Sequence, residues 1–120
     1  MTPLKCATFE ARPWRWEVIV VHGGTAEMFR AYVTKVTGGS ITAVEGFVGY
    51  CYITDADPAL VWVECLGDVP TLVHELMHAV FGILQARTLK YSPESEEAFT
   101  YTVQDLLTQV LRQKTWRRAA

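Results

Sequence analysis

The stretch from Pro70 to Arg87 constrains this chain more than any other. Its apolar residues recur at helical spacing, and two histidines sit on it one turn apart. Leu72, Val73, Leu76, Val80, Ile83 and Leu84 form one stripe, and Asp68, Pro70 and Thr71 supply start signals. The spacing therefore predicts a helix over about 70–87. Inside it lies His74-Glu75-Leu76-Met77-His78. Residues four apart stack on one helical face, so both imidazoles can reach a single cation at about 2.0–2.1 Å each. Glu75, beside the first histidine, is placed to face a water on that ion rather than the ion itself. A zinc-activated water with Glu75 as general base is the chemistry that these residue types at this spacing serve.

The rest of the chain reads as a small α+β domain. Residues 14–21 are β-branched and alternating, so they predict a strand, which Gly23 and Gly24 end. Thr25 caps an expected helix over 26–37, with Phe29, Tyr32, Val33 and Val36 on one face and Gly38-Gly39 as its stop. Residues 46–53 and 59–65 read as two strands joined by the turn Thr54 to Pro58, an antiparallel hairpin. Ser92 and Pro93 open a last helix carrying Phe99, Val103, Leu106, Leu107 and Val110 and fading near Lys114. The predicted order is β-α-β-β-α-α: helices packed on a three-stranded sheet, with the histidine helix followed by a glutamate-bearing one. One domain spans 1–120, with residues 1–13 and 115–120 as flexible ends.

Composition narrows the function classes. Half of the 120 residues are hydrophobic and 20% are charged, which excludes disorder for the chain as a whole. The net charge of −2 offers no general field for nucleic acid. No Lys or Arg occurs between Lys35 and Arg87, where Glu45, Asp55, Asp57, Glu64, Asp68 and Glu75 all fall. Apart from Glu75, these acids read as solvated surface, and the basic end at Arg112, Lys114, Arg117 and Arg118 as a frayed helix terminus. Cys6, Cys51 and Cys65 are odd in number and lack CxxC spacing, so neither a disulfide framework nor a cysteine zinc site is indicated. With no signal-peptide pattern and no membrane-length apolar run, the expected location is the cytoplasm.

Two histidines do not complete a zinc site. The metzincin continuation needs Gly and His where this chain has Phe81 and Leu84. The remaining sources are His22, the only other histidine, at the end of the first strand, and the acidic run Glu94-Ser95-Glu96-Glu97, brought near if the two helices fold back on each other. Periodicity leaves the choice open: Glu96 lies close to Val103 and Leu107 on a helical wheel, and Glu97 lines up with Tyr101 and Gln104. Small residues Ala98 and Thr102, set opposite Ala79 and Gly82, would permit a close approach that turns Glu97 inward.

The segment from Val73 to about Leu107 resembles the small gluzincin-type metallopeptidases of tailed phages, distant relatives of the minigluzincins. In those a glutamate before Ala and an apolar residue follows the histidine pair by about twenty residues, and a tyrosine comes after it. The resemblance covers about a third of the chain. It implies zinc held by His74, His78 and Glu97, Glu75 as the base and Tyr101 as the matching tyrosine. It also implies a peptide or protein substrate and action in a host cytoplasm.

Other candidates carry weaker signals. Tyr101, then Tyr91 and His22, are candidates for stabilising an oxyanion. Residues 59–65 offer a strand edge to an extended peptide, with Trp62 as core or substrate wall. Trp14, Trp16 and Trp116 read as core and helix-docking residues, and Asp105 as surface or as a carboxylate orienting a ligand histidine. The expected protein is thus a monomeric zinc metallopeptidase with no nucleic-acid or membrane partner. The alternative is a zinc-stabilised, non-catalytic protein that binds a host defence or regulatory factor. A third reading, DNA binding by the basic end, ranks last.

Overall fold

The computed structural model describes residues 2–42 and 46–119. Glu45, one of the acidic residues of the middle stretch, lies outside them. The elements in chain order are β1 (Lys5–Ala11), β2 (Trp16–His22), α1 (Ala26–Thr37), β3 (Gly49–Tyr52), β4 (Ala59–Val63), α2 (Val69–Ala86), α3 (Glu96–Arg112) and β5 (Arg117–Arg118). The α+β class holds, but the sheet has five strands, not three, in the order β3-β4-β2-β1-β5. Both expected flexible ends contribute a strand: β1 pairs antiparallel with β2 from Lys5↔His22 to Ala11↔Trp16, and β5 pairs with β1 at Lys5 and Cys6. Neither is conspicuous in sequence. The run Lys5–Ala11 has one β-branched residue, Thr8, and acquires its strand only by pairing across the turn to β2.

β2 and β4 run parallel, side by side in the middle of the sheet, and β3 returns antiparallel to β4 as the hairpin predicted. Layers on both faces explain the unbroken apolar runs of the central strands. Ala59, Val61 and Val63 of β4 join Val18 and Val20 under α2 and α3, while Leu60 and Trp62 join Ile19, Val21, Phe29 and Val33 on the α1 side. Trp62 is fully buried there and its indole N–H donates to the Gly23 carbonyl at 2.8 Å, so it is core and not a substrate wall.

Local chemistry sets the helix ends. The Thr25 hydroxyl accepts from the Met28 N–H, and Gly38 closes α1 at φ 76°, a left-handed conformation that glycine adopts without penalty. Asp68 caps α2 through the Thr71 N–H, with Pro70 in the first turn. α3 starts later than expected: Ser92 and Ser95 exchange hydrogen bonds in a turn, and the helix proper begins at Glu96. α2 packs over β4 and β3, at one end of the sheet, and α3 over β1. The histidine helix therefore overhangs the sheet's edge strand. Among the described residues, no helix is long and apolar enough to cross a membrane.

Candidate metal centre

The apolar stripe of α2 lies against the sheet, with Leu72, Leu76, Ala79, Val80, Ile83 and Leu84 all buried. That rotation lifts His74 and His78 to the exposed side of the helix and leaves Glu75 buried between them and β3. The two Nε2 atoms stand 3.2 Å apart with the rings nearly perpendicular. Two nitrogens sharing a tetrahedral zinc at about 2.0–2.1 Å are separated by roughly 3.3 Å, so the pair fits one ion without rearrangement. The same separation also suits an N–H···N hydrogen bond between two neutral imidazoles. A carboxylate oxygen of Glu75 completes a group whose donor atoms all lie within 4.8 Å of one another.

These three side chains open onto a cavity of about 810 Å³ whose other wall is β3 and its approach. Phe47, Val48, Gly49, Cys51 and Ile53 line it opposite Pro70, Thr71, His74, Glu75 and His78. The volume falls within the usual range for small-molecule and peptide-side-chain sites. Burial raises the Glu75 carboxyl above its ordinary range, and the two imidazoles oppose that shift. The Cys51 thiol is pushed up to about 12 by burial, with the Glu75 charge adding to it. Without a bound metal it is a protonated thiol at neutral pH.

The free strand edge expected at residues 59–65 lies instead on β3. β4 is paired on both sides, by β2 and β3, so the edge beside the histidines belongs to β3. A signal was present: glycine inside a strand pattern, as at Gly49, marks close backbone approach.

The other candidates lie elsewhere. Glu97 is exposed in the first turn of α3, on the side of that helix opposite its buried stripe of Phe99, Thr102, Leu106 and Val110, and it is not in the group with His74, Glu75 and His78. Glu96 is also exposed and also outside that group. Tyr101, 65% exposed, lines a separate cavity with Arg12, Pro13, Trp14, Ala98, Thr102 and Asp105.

The small residues do not face one another as expected. Gly82 faces Ile53 of the β3 side, while Thr102 accepts from the Trp14 indole N–H at 2.9 Å. Asp105 does not orient a histidine, because its carboxylate takes two hydrogen bonds from Arg12, at 2.7 and 3.1 Å, and one from Gln109. Tyr91 packs on Phe81 and Phe99. His22 stands at the C-terminal end of β2, two strands from β3, with its ring against Trp116. All three cysteines are free. No protein-family model, curated protein or solved structure matches the chain.

Proposed function

We propose that this protein is a zinc-dependent hydrolase of peptide bonds. The observation that carries the reading is the pair of Nε2 atoms 3.2 Å apart, with a buried carboxylate beside them, on one wall of an open cavity. His74 and His78 are the proposed ligands. The resemblance to gluzincins supplies Glu97 as the third; it stands in the first turn of the neighbouring helix but on that helix's exposed face, outside the group of His74, Glu75 and His78, so its ligation requires that turn to rotate toward the histidines. A bound zinc would lower the pKa of a water toward about 7 and polarise a substrate carbonyl.

The chain's own groups do the rest. Glu75 is desolvated and held without a hydrogen bond to any described residue. Its carboxylate oxygen takes the proton of the attacking water and hands it to the departing amine, a role suited to a carboxyl whose pKa burial has raised above its ordinary range. β3 is the last strand on its side of the sheet, so its outer N–H and C=O groups can pair with an extended peptide lying over the histidines. Tyr101 has no part in this proposal, since it lines another cavity.

The test is elemental analysis and peptide hydrolysis on the same preparation. Wild type should carry about one zinc per chain, and Glu75→Gln should keep the metal while kcat falls by roughly 10²–10⁴-fold. Glu97→Ala should lose zinc and Glu96→Ala should keep it. The reverse outcome would move the third ligand to Glu96. Metal-free wild type, or full activity in Glu75→Gln, would overturn the reading. Zinc without hydrolysis in the wild type would leave the ion a structural role in a binding protein.

A further inference from the structure

The cleft between β3 and α2 is narrow because each wall carries a glycine where the other wall presses in. On β3, Tyr50 and Tyr52 pack toward α1, while Gly49 and Cys51 belong to the α2 side. A Cβ at Gly49 would sit 2.7 Å from Thr71 Cγ2, 3.0 Å from Glu75 Oε2 and 3.1 Å from Glu75 Cγ. On α2, a Cβ at Gly82 would meet three atoms of Ile53 at 2.8–3.0 Å. Thr71, Glu75 and Gly82 lie on one flank of α2, so the helix rests on the edge of the sheet along this line.

The two groups that crowd Gly49 are not equally free to yield. Thr71 is anchored: its N–H and its hydroxyl both bond to the Asp68 carboxylate that caps the helix. The Glu75 carboxylate has no hydrogen bond to any described residue, so only packing holds it in place.

We propose that Gly49 is a positioning residue. Its missing side chain lets Glu75 lie flat against β3 with its carboxylate turned toward the point shared by the two histidines. The inference rests on the hydrolase reading and extends it to a residue that touches neither metal nor water. Any side chain at 49 pushes Glu75 off the wall and into the cavity.

The experiment uses the zinc-loaded full chain and a mixture of internally quenched fluorescent peptides, with zinc content and melting temperature measured alongside. Gly49→Ala should bind zinc at the wild-type ratio and keep KM within about twofold, while kcat falls by roughly 10–100-fold, the range for a small misplacement of a reacting group. On a Glu75→Gln background the same substitution should change kcat by less than about twofold, because its effect runs through the carboxylate. A crystal structure of metal-free Gly49→Ala should show Glu75 displaced from β3, a readout independent of activity.

Should Gly49→Ala fail to fold, Gly49→Ala combined with Thr71→Ser removes the methyl at the tightest contact and is tested in the same way. Wild-type kcat in the folded variant, or an equal loss with and without the Glu75 carboxylate, would overturn the role of Gly49 and leave the hydrolase standing. A wild type that binds no zinc and cuts no peptide would overturn the hydrolase itself. The position of Glu75 in the crystal would then still decide whether Gly49 sets it.

Discussion

A buried titratable group takes its behaviour from what surrounds it, and Glu75 and His22 show two versions of this. Glu75 lies between a sheet edge and two imidazoles, so desolvation raises its pKa and the imidazoles oppose that shift, with desolvation the larger. His22 has a buried Nε2 with no hydrogen-bond partner among the described residues, and its ring meets Trp116 edge-on at 4.7 Å between centroids. Burial, with Lys5 adding to it, holds its pKa below the ordinary value. The folded state therefore binds this proton less readily than the unfolded chain. The neutral ring's contribution to stability is complete above about pH 6.5 and declines as pH falls from there to the folded pKa. Urea unfolding at pH 7 and pH 5 should show wild type losing more stability over that interval than His22→Gln. Equal losses would mean that the ring is solvated.

At the scale of elements, the rotation of α3 decides which of its residues reach the histidines. Trp14 donates to Thr102, Arg12 pairs with Asp105, and the Gln109 amide donates to the Glu10 carbonyl. These contacts turn one flank of α3 onto the β1–β2 turn, and Phe99 onto Phe81 of α2. Glu97 and Tyr101 are consequently carried on the exposed face. The Arg12–Asp105 pair is itself largely exposed, and such pairs contribute at most about 1 kcal/mol. Thr102 matters more, because it is buried and its hydroxyl receives the Trp14 N–H while donating to the Ala98 carbonyl at 2.7 Å. Thr102→Val keeps the shape and strands the indole donor. It should cost about 1–3 kcal/mol in denaturant unfolding, whereas Asp105→Asn should cost less than about 1 kcal/mol.

The whole molecule is a sheet of which one side, β1 and β5, comes from the segments that looked least like structure. β1 places Cys6, Ala7, Phe9 and Ala11 in the buried layers, and the C-terminal segment lays Trp116 on Phe9 and His22 before β5 pairs with β1. Deleting residues 115–120 should therefore destabilise the protein by more than about 1 kcal/mol, since a partly buried tryptophan and a buried alanine are removed. An unchanged melting curve would show that this segment is the loose end its sequence suggests. The sheet order has a second consequence. With β4 and β2 in the centre, β3 is an edge, and α2 lies over it.

Local sequence was enough for everything that depends on periodicity within about a dozen residues. α1 runs over the predicted 26–37 with its Thr25 cap, α2 starts one residue from its expected beginning, and the β3–β4 hairpin pairs as foreseen. The histidine pair belongs to this class, because the spacing of 74 and 78 on a helix is set by helix geometry alone, and Glu75 follows from it. Tertiary structure decided what no window of residues contains: that Lys5–Ala11 is a strand, that Gly49 rather than the 59–65 strand faces the histidines, and that Thr102 and Asp105 answer to the β1–β2 turn. Those outcomes are pairings between distant segments. Their stability arises only when both partners are present, so neither partner alone carries the signal.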